Sequence, residues 1–326
     1  MTTYSTTESK IWYGDETTYG TAVTPDSYFG TVQSFNFSQS NSQILVYGIG
    51  ARNAQDTIQG QYSINGTIDF FPNTSATADA NVSGFVILQY ILGSVSGTGT
   101  QSSPYTYTSS TTIPSITIEC GSDDADGTDD LFTISGAKCG SASISMSVGS
   151  PVSMSTSWIA QKAIHATTFT AAYATPSKAP FTFVQGSFNR SDTTIGVVQN
   201  VSLNINNGNQ EIRSVGQRTV QNLLAGSLGL TYDCTVVLDS ALAATILLDF
   251  YGQAASSGPK SNVGSLTGLT FDVELTDGSN NTVTWTMGNT TVNDIAEGAD
   301  TGSNFRQLTF SGNFRTISVA EKRVSD

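Results

Sequence analysis

Polar and apolar residues alternate along much of this chain, with the period of two expected of strands covered on one face. In residues 31–38, Gln33, Phe35 and Phe37 take one side and Val32, Ser34 and Asn36 the other. In residues 64–70, Ile64, Gly66, Ile68 and Phe70 oppose Asn65, Thr67 and Asp69. Leu230, Tyr232, Cys234 and Val236 alternate with Thr231, Asp233 and Thr235 in the same way. Ile116 and Ile118 stand against Thr117 and Glu119, and Phe271 and Val273 against Asp272 and Glu274. These are half-buried strands with a polar, mildly acidic wet face. Further strands are expected over residues 115–120, 131–137, 269–275, 283–287 and 307–319. Asp69, Glu119, Asp233, Asp272 and Glu274 on the wet faces would together form one negative wall.

Two stretches break the alternation. Residues 79–93 and 239–252 are apolar runs of helical length. Asp79 and Asp239 head them as N-caps that also suit the helix dipole, and Gly93 and Gly252 close them. Residues 43–47 form a short apolar run. Residues 48–60, with Arg52 in the middle, read as a long loop between strands, too long for a plain hairpin. Residues 1–30, rich in Tyr, Thr and Gly and broken by Pro25, read as an extended arm. Residues 170–180, with Pro176 and Pro180, read as a linker with a boundary near Thr175.

The pattern occurs twice. Shifting the chain by 166 residues lays residues 198–230 on residues 32–64 without a gap. Val32/Val198, Gln33/Gln199, Asn41/Asn207, Gly50/Gly216, Arg52/Arg218, Gln55/Gln221 and Gly60/Gly226 are identical pairs. A strand, an apolar helix, a Gly/Ser loop and two strands around an acidic turn follow in each half. The repeat is longer than a solenoid unit of roughly 20–50 residues, so it reads as a duplicated domain. The expected domains are residues 1–175, with the arm, and 176–326.

Composition supports a β-rich chain. Ser and Thr make up about a quarter of it, and charged residues only 12% of its 326 positions. A net charge of −13 argues against binding nucleic acid by phosphate neutralisation and against an anionic membrane surface. It is compatible with a surface that DNA slides past. The N-terminal residues lack the basic and apolar regions of a secretory signal, so assembly in the host cytoplasm is expected. Three cysteines, Cys120, Cys139 and Cys234, suggest buried thiols rather than a disulfide framework.

Catalytic chemistry finds little support. The single histidine, His165, has no nucleophile elbow near it, and no Cys/His spacing fits zinc. The run from Asp123 to Asp130 places Asp124, Asp126 and Asp130 near calcium-loop positions around Gly127, but Thr133 stands where a closing Glu would be needed. A solvated acidic turn is the simpler reading. No cofactor is expected. Arg52 and Arg218 place a cation at the same point of each long loop, suited to an acidic neighbour.

Each half resembles the tail tube protein of long-tailed phages and related tailed viruses, in a duplicated-domain variant. The resemblance rests on Tyr19-Gly20-Thr21 and Pro25, Gly48-Ile49-Gly50-Ala51-Arg52, Ile64-Asn65-Gly66-Thr67-Ile68, the helix of residues 79–93, and Ile134-Ser135-Gly136-Ala137-Lys138-Cys139. It implies a mainly β fold: two tandem tail-tube-like domains, each a β-sandwich with barrel-forming sheets and one short helix. It further implies a structural, non-enzymatic virion protein. Three chains would build a pseudo-six-fold ring, and rings would stack into a hollow tube for double-stranded DNA. Partners would be further copies, a tail tip or initiator, a tape-measure protein and a tail terminator, with no membrane. Tyr47, Gly50, Arg52, Gln55, Gly216, Arg218 and Gln221 become candidates for ring-to-ring contact. Asp69, Glu119, Asp233, Asp272 and Glu274 become candidates for lining the lumen. The alternative is another virion structural protein, a capsid decoration or fibre.

Overall fold

The computed structural model describes residues 9–75, 83–123, 129–170, 178–191, 193–195, 197–237, 240–252, 257, 259, 269–277, 281–298 and 306–323. The first half contains β1 (Ser9–Asp15), β2 (Thr31–Val46), β3 (Asp56–Phe71), helix α1 (Leu88–Leu92), β4 (Gly93–Ser96), β5 (Tyr105–Ser109), β6 (Ile116–Ser122), β7 (Asp130–Ser147), β8 (Ser153–Ala160) and β9 (Lys162–Ala166). The second contains β10 (Gly186–Arg190), β11 (Thr193–Thr194), β12 (Val198–Asn206), β13 (Gln210–Ile212), β14 (Asn222–Leu224), β15 (Gly229–Val237), helix α2 (Ser240–Tyr251), β16 (Phe271–Thr276), β17 (Thr282–Gly288), β18 (Thr291–Gly298), β19 (Gln307–Asn313) and β20 (Thr316–Lys322).

Both halves pair their strands in the same way. One antiparallel set runs β2-β3-β8-β7, and its counterpart runs β12-β15-β19-β18. The other runs β1-β6-β7-β9, and its counterpart β10-β16-β17-β20. The bulges recur as well. The register shifts between Val32 and Ser34 and between Val198 and Asn200, 166 residues on. The later half of β7 pairs with β12, so eight strands run in the order β18-β19-β15-β12-β7-β8-β3-β2, with β18 and β2 at its two ends. The halves are thus joined edge to edge by one antiparallel seam.

Alternation explains the core. The apolar side of each strand faces an opposing sheet, and the rings interlock there. Phe271 on β16 meets Tyr232 of β15 at 5.5 Å and Phe310 of β19 at 6.1 Å between centroids. Phe29 meets Tyr13 of β1 at 4.8 Å, Phe70 of β3 at 5.8 Å and Trp158 of β8 at 6.2 Å. All three cysteines are buried free thiols. Cys120 faces Phe132, one residue beyond Leu131, where a symmetrical turn would put it.

Several expectations are corrected. The N-terminal arm is a strand from Ser9, pairing with β6. The buried Glu16 beyond it accepts hydrogen bonds from Ser115 Oγ at 2.7 Å, Thr117 Oγ1 at 2.8 Å and the amides of Gly136 and Gly20 at 2.8 and 2.9 Å. That clamp accounts for the Tyr19-Gly20 signal. The first helix is only Leu88–Leu92, because the Gly84 amide bonds outward to the Asn73 carbonyl at 2.8 Å instead of starting a helix. Asp79, Asp239 and the proposed boundary at Thr175 lie outside the described residues. The C-caps are as expected: Gly93 (φ +104°) donates to Gln89, and Gly252 (φ +70°) to Leu248. Residues 307–319 are two strands in different sheets, turning at Phe314 and Arg315. Residues 48–60 are mostly strand, since β2 and β3 form a 16-residue hairpin joined by a turn from Tyr47 to Gln55.

The last strand closes the molecule. β20 pairs with β5 of the first half, and beside it Glu321 and Arg323 are both fully buried. Arg323 donates to Glu321 at 2.9 and 2.8 Å, while Ser83 and Tyr107 of the first half donate to the same carboxylate at 2.6 and 3.0 Å. Removing one partner of a buried pair strands the other charge. Glu321→Ala is therefore expected to lower stability by about 3–5 kcal/mol in urea unfolding. Asp130→Ala, which breaks the exposed contact with His165, should cost less than about 1 kcal/mol.

Candidate functional site: two hairpin turns and a sheet face without cations

Each half carries a hairpin with the same turn. In the first, the Gln55 amide donates to the Val46 carbonyl at 2.8 Å and Ala51 to Gly48 at 3.1 Å. In the second, Gln221 donates to Ile212 at 2.8 Å and Gln217 to Ser214 at 3.3 Å, each bond 166 residues on. Gly50 (φ +84°) and Gly216 (φ +86°) occupy the left-handed region that a side chain would strain. Just before them, Ile49 and Val215 are wholly exposed, at 109% and 106%. An apolar residue held open at the turn of a rigid hairpin is a contact element rather than core.

The second hairpin leans on the first. Arg218 donates to the Gly60 carbonyl at 3.0 Å, Gln59 Oε1 at 2.6 Å and Asn41 Oδ1 at 2.8 Å. Its own carbonyl takes the Tyr62 amide at 3.0 Å. Beneath it, Asn207 is buried at the β7–β12 seam. Its side-chain amide donates to the carbonyls of Ile91, in α1, at 2.9 Å and of Cys139, in β7, at 3.0 Å, and its backbone amide donates to Gly140 at 2.9 Å. Asn207 thus ties helix, sheet and hairpin of the two halves together.

The long sheet turns its apolar side inward and a polar side outward. β2, β3, β8, β12, β15, β18, β19 and the part of β7 from Ser141 onward contain no lysine or arginine. Small neutral groups dominate the open side, among them Ser34, Asn36, Thr67, Ser143, Ser202 and Thr309. Asp69 and Asp233 lie in it, on β3 and β15. Asp69 accepts from Ser34 Oγ at 2.6 Å and Ser155 Oγ at 2.5 Å. Such a face offers a nearby phosphate no cation with which to displace its counterions.

A family model described as phage tail tube protein matches residues 6–312. The chain belongs to the phage tail tube protein family. Members of that family are structural rather than catalytic, which is consistent with a viral tail component. Comparison with curated proteins gives no match.

In this tail tube chain, the sequence candidates separate. Tyr47, Gly50, Arg52 and Gln55 fall in the turn of the first hairpin, and Gly216, Arg218 and Gln221 in that of the second. Arg218 meets neutral oxygens of the other hairpin, not an acidic neighbour. The five carboxylates do not form one wall. Asp69 and Asp233 share the long sheet, whereas Asp272 and Glu274 sit on β16 in the other sheet. Glu119 is fully buried under Thr170, whose amide and hydroxyl donate to it. Burial raises its carboxyl pKa, opposed by those hydrogen bonds. Asp294 does lie on the open side, opposite Ser311; the bulge after Val292 shifts its phase and hid it from an alternation reading. Asp124 and Asp126 lie outside the described residues, and Asp130 contacts His165 Nε2 at 2.8 Å. Among the described residues, no three His, Cys, Asp or Glu side chains are grouped to hold a metal.

The two repeat-related asparagines differ sharply in burial: Asn207 is buried, whereas Asn41 is exposed. Asn207→Ala leaves two seam carbonyls without their donor and should cost about 2–4 kcal/mol in denaturant unfolding of the monomer. Asn41→Ala should cost less than about 1 kcal/mol in the same measurement.

Proposed function

We propose that the chain is the subunit of a viral tail tube in which three copies form a ring of six similar wall segments, and rings stack into a hollow conduit for double-stranded DNA. In this reading the chain is a duplicated tube unit. The observation that carries it is the shared sheet. Two halves with the same strand pairings join edge to edge, and both outer edges, β18 and β2, stay open. Repeating the step from one half to the next continues the sheet into further copies, and closure removes the exposed edges. The cation-free polar side would face the lumen, with Asp69, Asp233 and Asp294 repelling phosphates. The hairpin turns, with Ile49 and Val215 exposed, would make ring-to-ring contacts that propagate the tube. A tail tip or initiator, a tape-measure protein and a terminator would start, measure and end it.

Electron microscopy of concentrated protein, with and without tail-tip components, tests this reading. The expected particles are hollow rings or tubes showing six lobes end-on. Solid fibres, or rings with no opening, would count against it and favour a decoration or fibre role.

The lumen assignment has its own test. Tubes of the wild-type chain should not retain double-stranded DNA at about 50 mM salt. Tubes carrying Asp69→Lys with Asp233→Lys should retain it, and release it steeply as salt rises. Retention by wild-type tubes would refute a repelling lumen.

A further inference from the structure

The seam inside one chain is a template for the seam between two. We infer that β2 of a second copy pairs antiparallel with β18 in the register of the internal β7–β12 seam, with the second copy's Ser38 opposite Ala296 and its Asn41 locking the joint. This inference rests on the tube reading and names the partner and the residues of its lateral contact.

The register follows from three sets of pairings. Within the chain, Asn204 lies opposite Ser143 across the seam. Asn204 is 166 residues beyond Ser38. Ser143 pairs with Ser155, which pairs with Asp69. In the second half, Ala296 pairs with Thr309, which pairs with Thr235, 166 residues beyond Asp69. Ala296 therefore stands where Ser143 stands. The bulges agree independently, falling between Cys139 and Ser141 in β7 and between Val292 and Asp294 in β18. By the same steps Ser40 lies opposite Asp294 and Phe37 opposite Glu297.

Burial points to the same joint. Val201 and Leu203, at the covered seam, are 1% and 0% exposed, whereas Phe35 and Phe37 at the matching places in β2 are only partly buried. Ile91 of α1 is fully buried under the seam, whereas Phe250, at the same distance before the C-cap of α2, is 36% exposed. Ile44, Leu45 and Ile58 of the β2–β3 hairpin are 55%, 51% and 51% exposed, an apolar strip with no cover in a single chain. Each uncovered place is one that a further copy, seated as the second half sits on the first, would cover.

The lock is Asn41. Asn207 spends its side-chain amide on the carbonyls of Ile91 and Cys139. The matching carbonyls at the open edge are those of Phe250 and Val292. Arg218 already holds the Asn41 oxygen, which turns the oxygen inward and leaves the amide hydrogens for the second copy. Arg52 of that copy would then reach the Gly226 carbonyl, as Arg218 reaches that of Gly60. Glu297 is the one discordant group. It takes the place of the buried Ile144 and pairs with Arg306, and a charge there discourages pairing with unrelated edges.

A disulfide trap tests the register. The native thiols give little background, because all three are buried; burial pushes Cys120 up to about 12 and raises Cys139 and Cys234 as well. Under mild oxidation of the full chain, Ser38→Cys with Ala296→Cys should give covalent oligomers ending at a closed trimer on non-reducing gels. Ser38→Cys with Gly298→Cys, two residues out of register, should give far fewer, since diagonal neighbours stand about 7–8 Å apart. Asn41→Asp keeps the oxygen for Arg218 but removes the donors. It should raise the concentration for half-assembly by about tenfold, the loss of one or two neutral hydrogen bonds, without changing monomer stability. Hollow tubes in which the in-register pair cross-links no better than the out-of-register pair would overturn the inference and leave the tube reading standing. A chain that forms neither tubes nor cross-links would overturn both.

Discussion

Everything in this molecule depends on backbone groups at strand edges finding partners. A sheet leaves a row of amides and carbonyls along each outer strand, and burying them unpaired costs more than a typical hydrogen bond returns. Inside the chain the problem is solved once, where β7 lies against β12. Seven residues of each strand pair there, from Ser141 to Ser147 and from Asn200 to Asn206. Asn207 seals the end of that joint, and Arg218 clips the hairpins above it. The same constraint is left open at β2 and β18, and the charge and hydrophobicity of the chain surface make sense around those two edges.

A second constraint explains the composition. A sheet side that packs against a core must be apolar, and one that meets a passing polyanion must not hold it. Serine, threonine and asparagine on the open side satisfy the strand backbone and water without adding a cation. The chain thus reaches −13 largely by omitting lysine rather than by crowding carboxylates into one place. The acidic positions are scattered, and one of them, Glu119, is packed under a loop.

Strands with one covered face were legible because coverage imposes alternation. Ile64 to Phe70 and Leu230 to Val236 stood out for that reason. The outer part of the first hairpin was not, since beyond Ser40 neither side of β2 is buried within one chain and no period is imposed. The N-terminal strand was hidden by its Tyr- and Gly-rich flank, and its anchor, Glu16, binds groups about 100 residues away. Paired residues such as Gly50 with Gly216 marked the turns well. What Arg218 touches was not readable, because its oxygens lie 158 to 177 residues distant and belong to neutral groups. Asp294 escaped because a single bulge reverses the sense of the alternation.

The closing strand has a consequence in time. β20 and the Glu321–Arg323 pair belong to the last residues made, yet they complete a sheet with β4 and β5 and hold Ser83 and Tyr107 of the first half. A nascent chain lacks these contacts until synthesis is almost finished, and contacts of such long sequence separation form slowly. The first half therefore emerges from the ribosome with the edge of β5 and the pocket for Glu321 unfilled. An incomplete chain is poorly prepared to join a growing tube, and completion of the C-terminus becomes a built-in checkpoint on which subunits enter it.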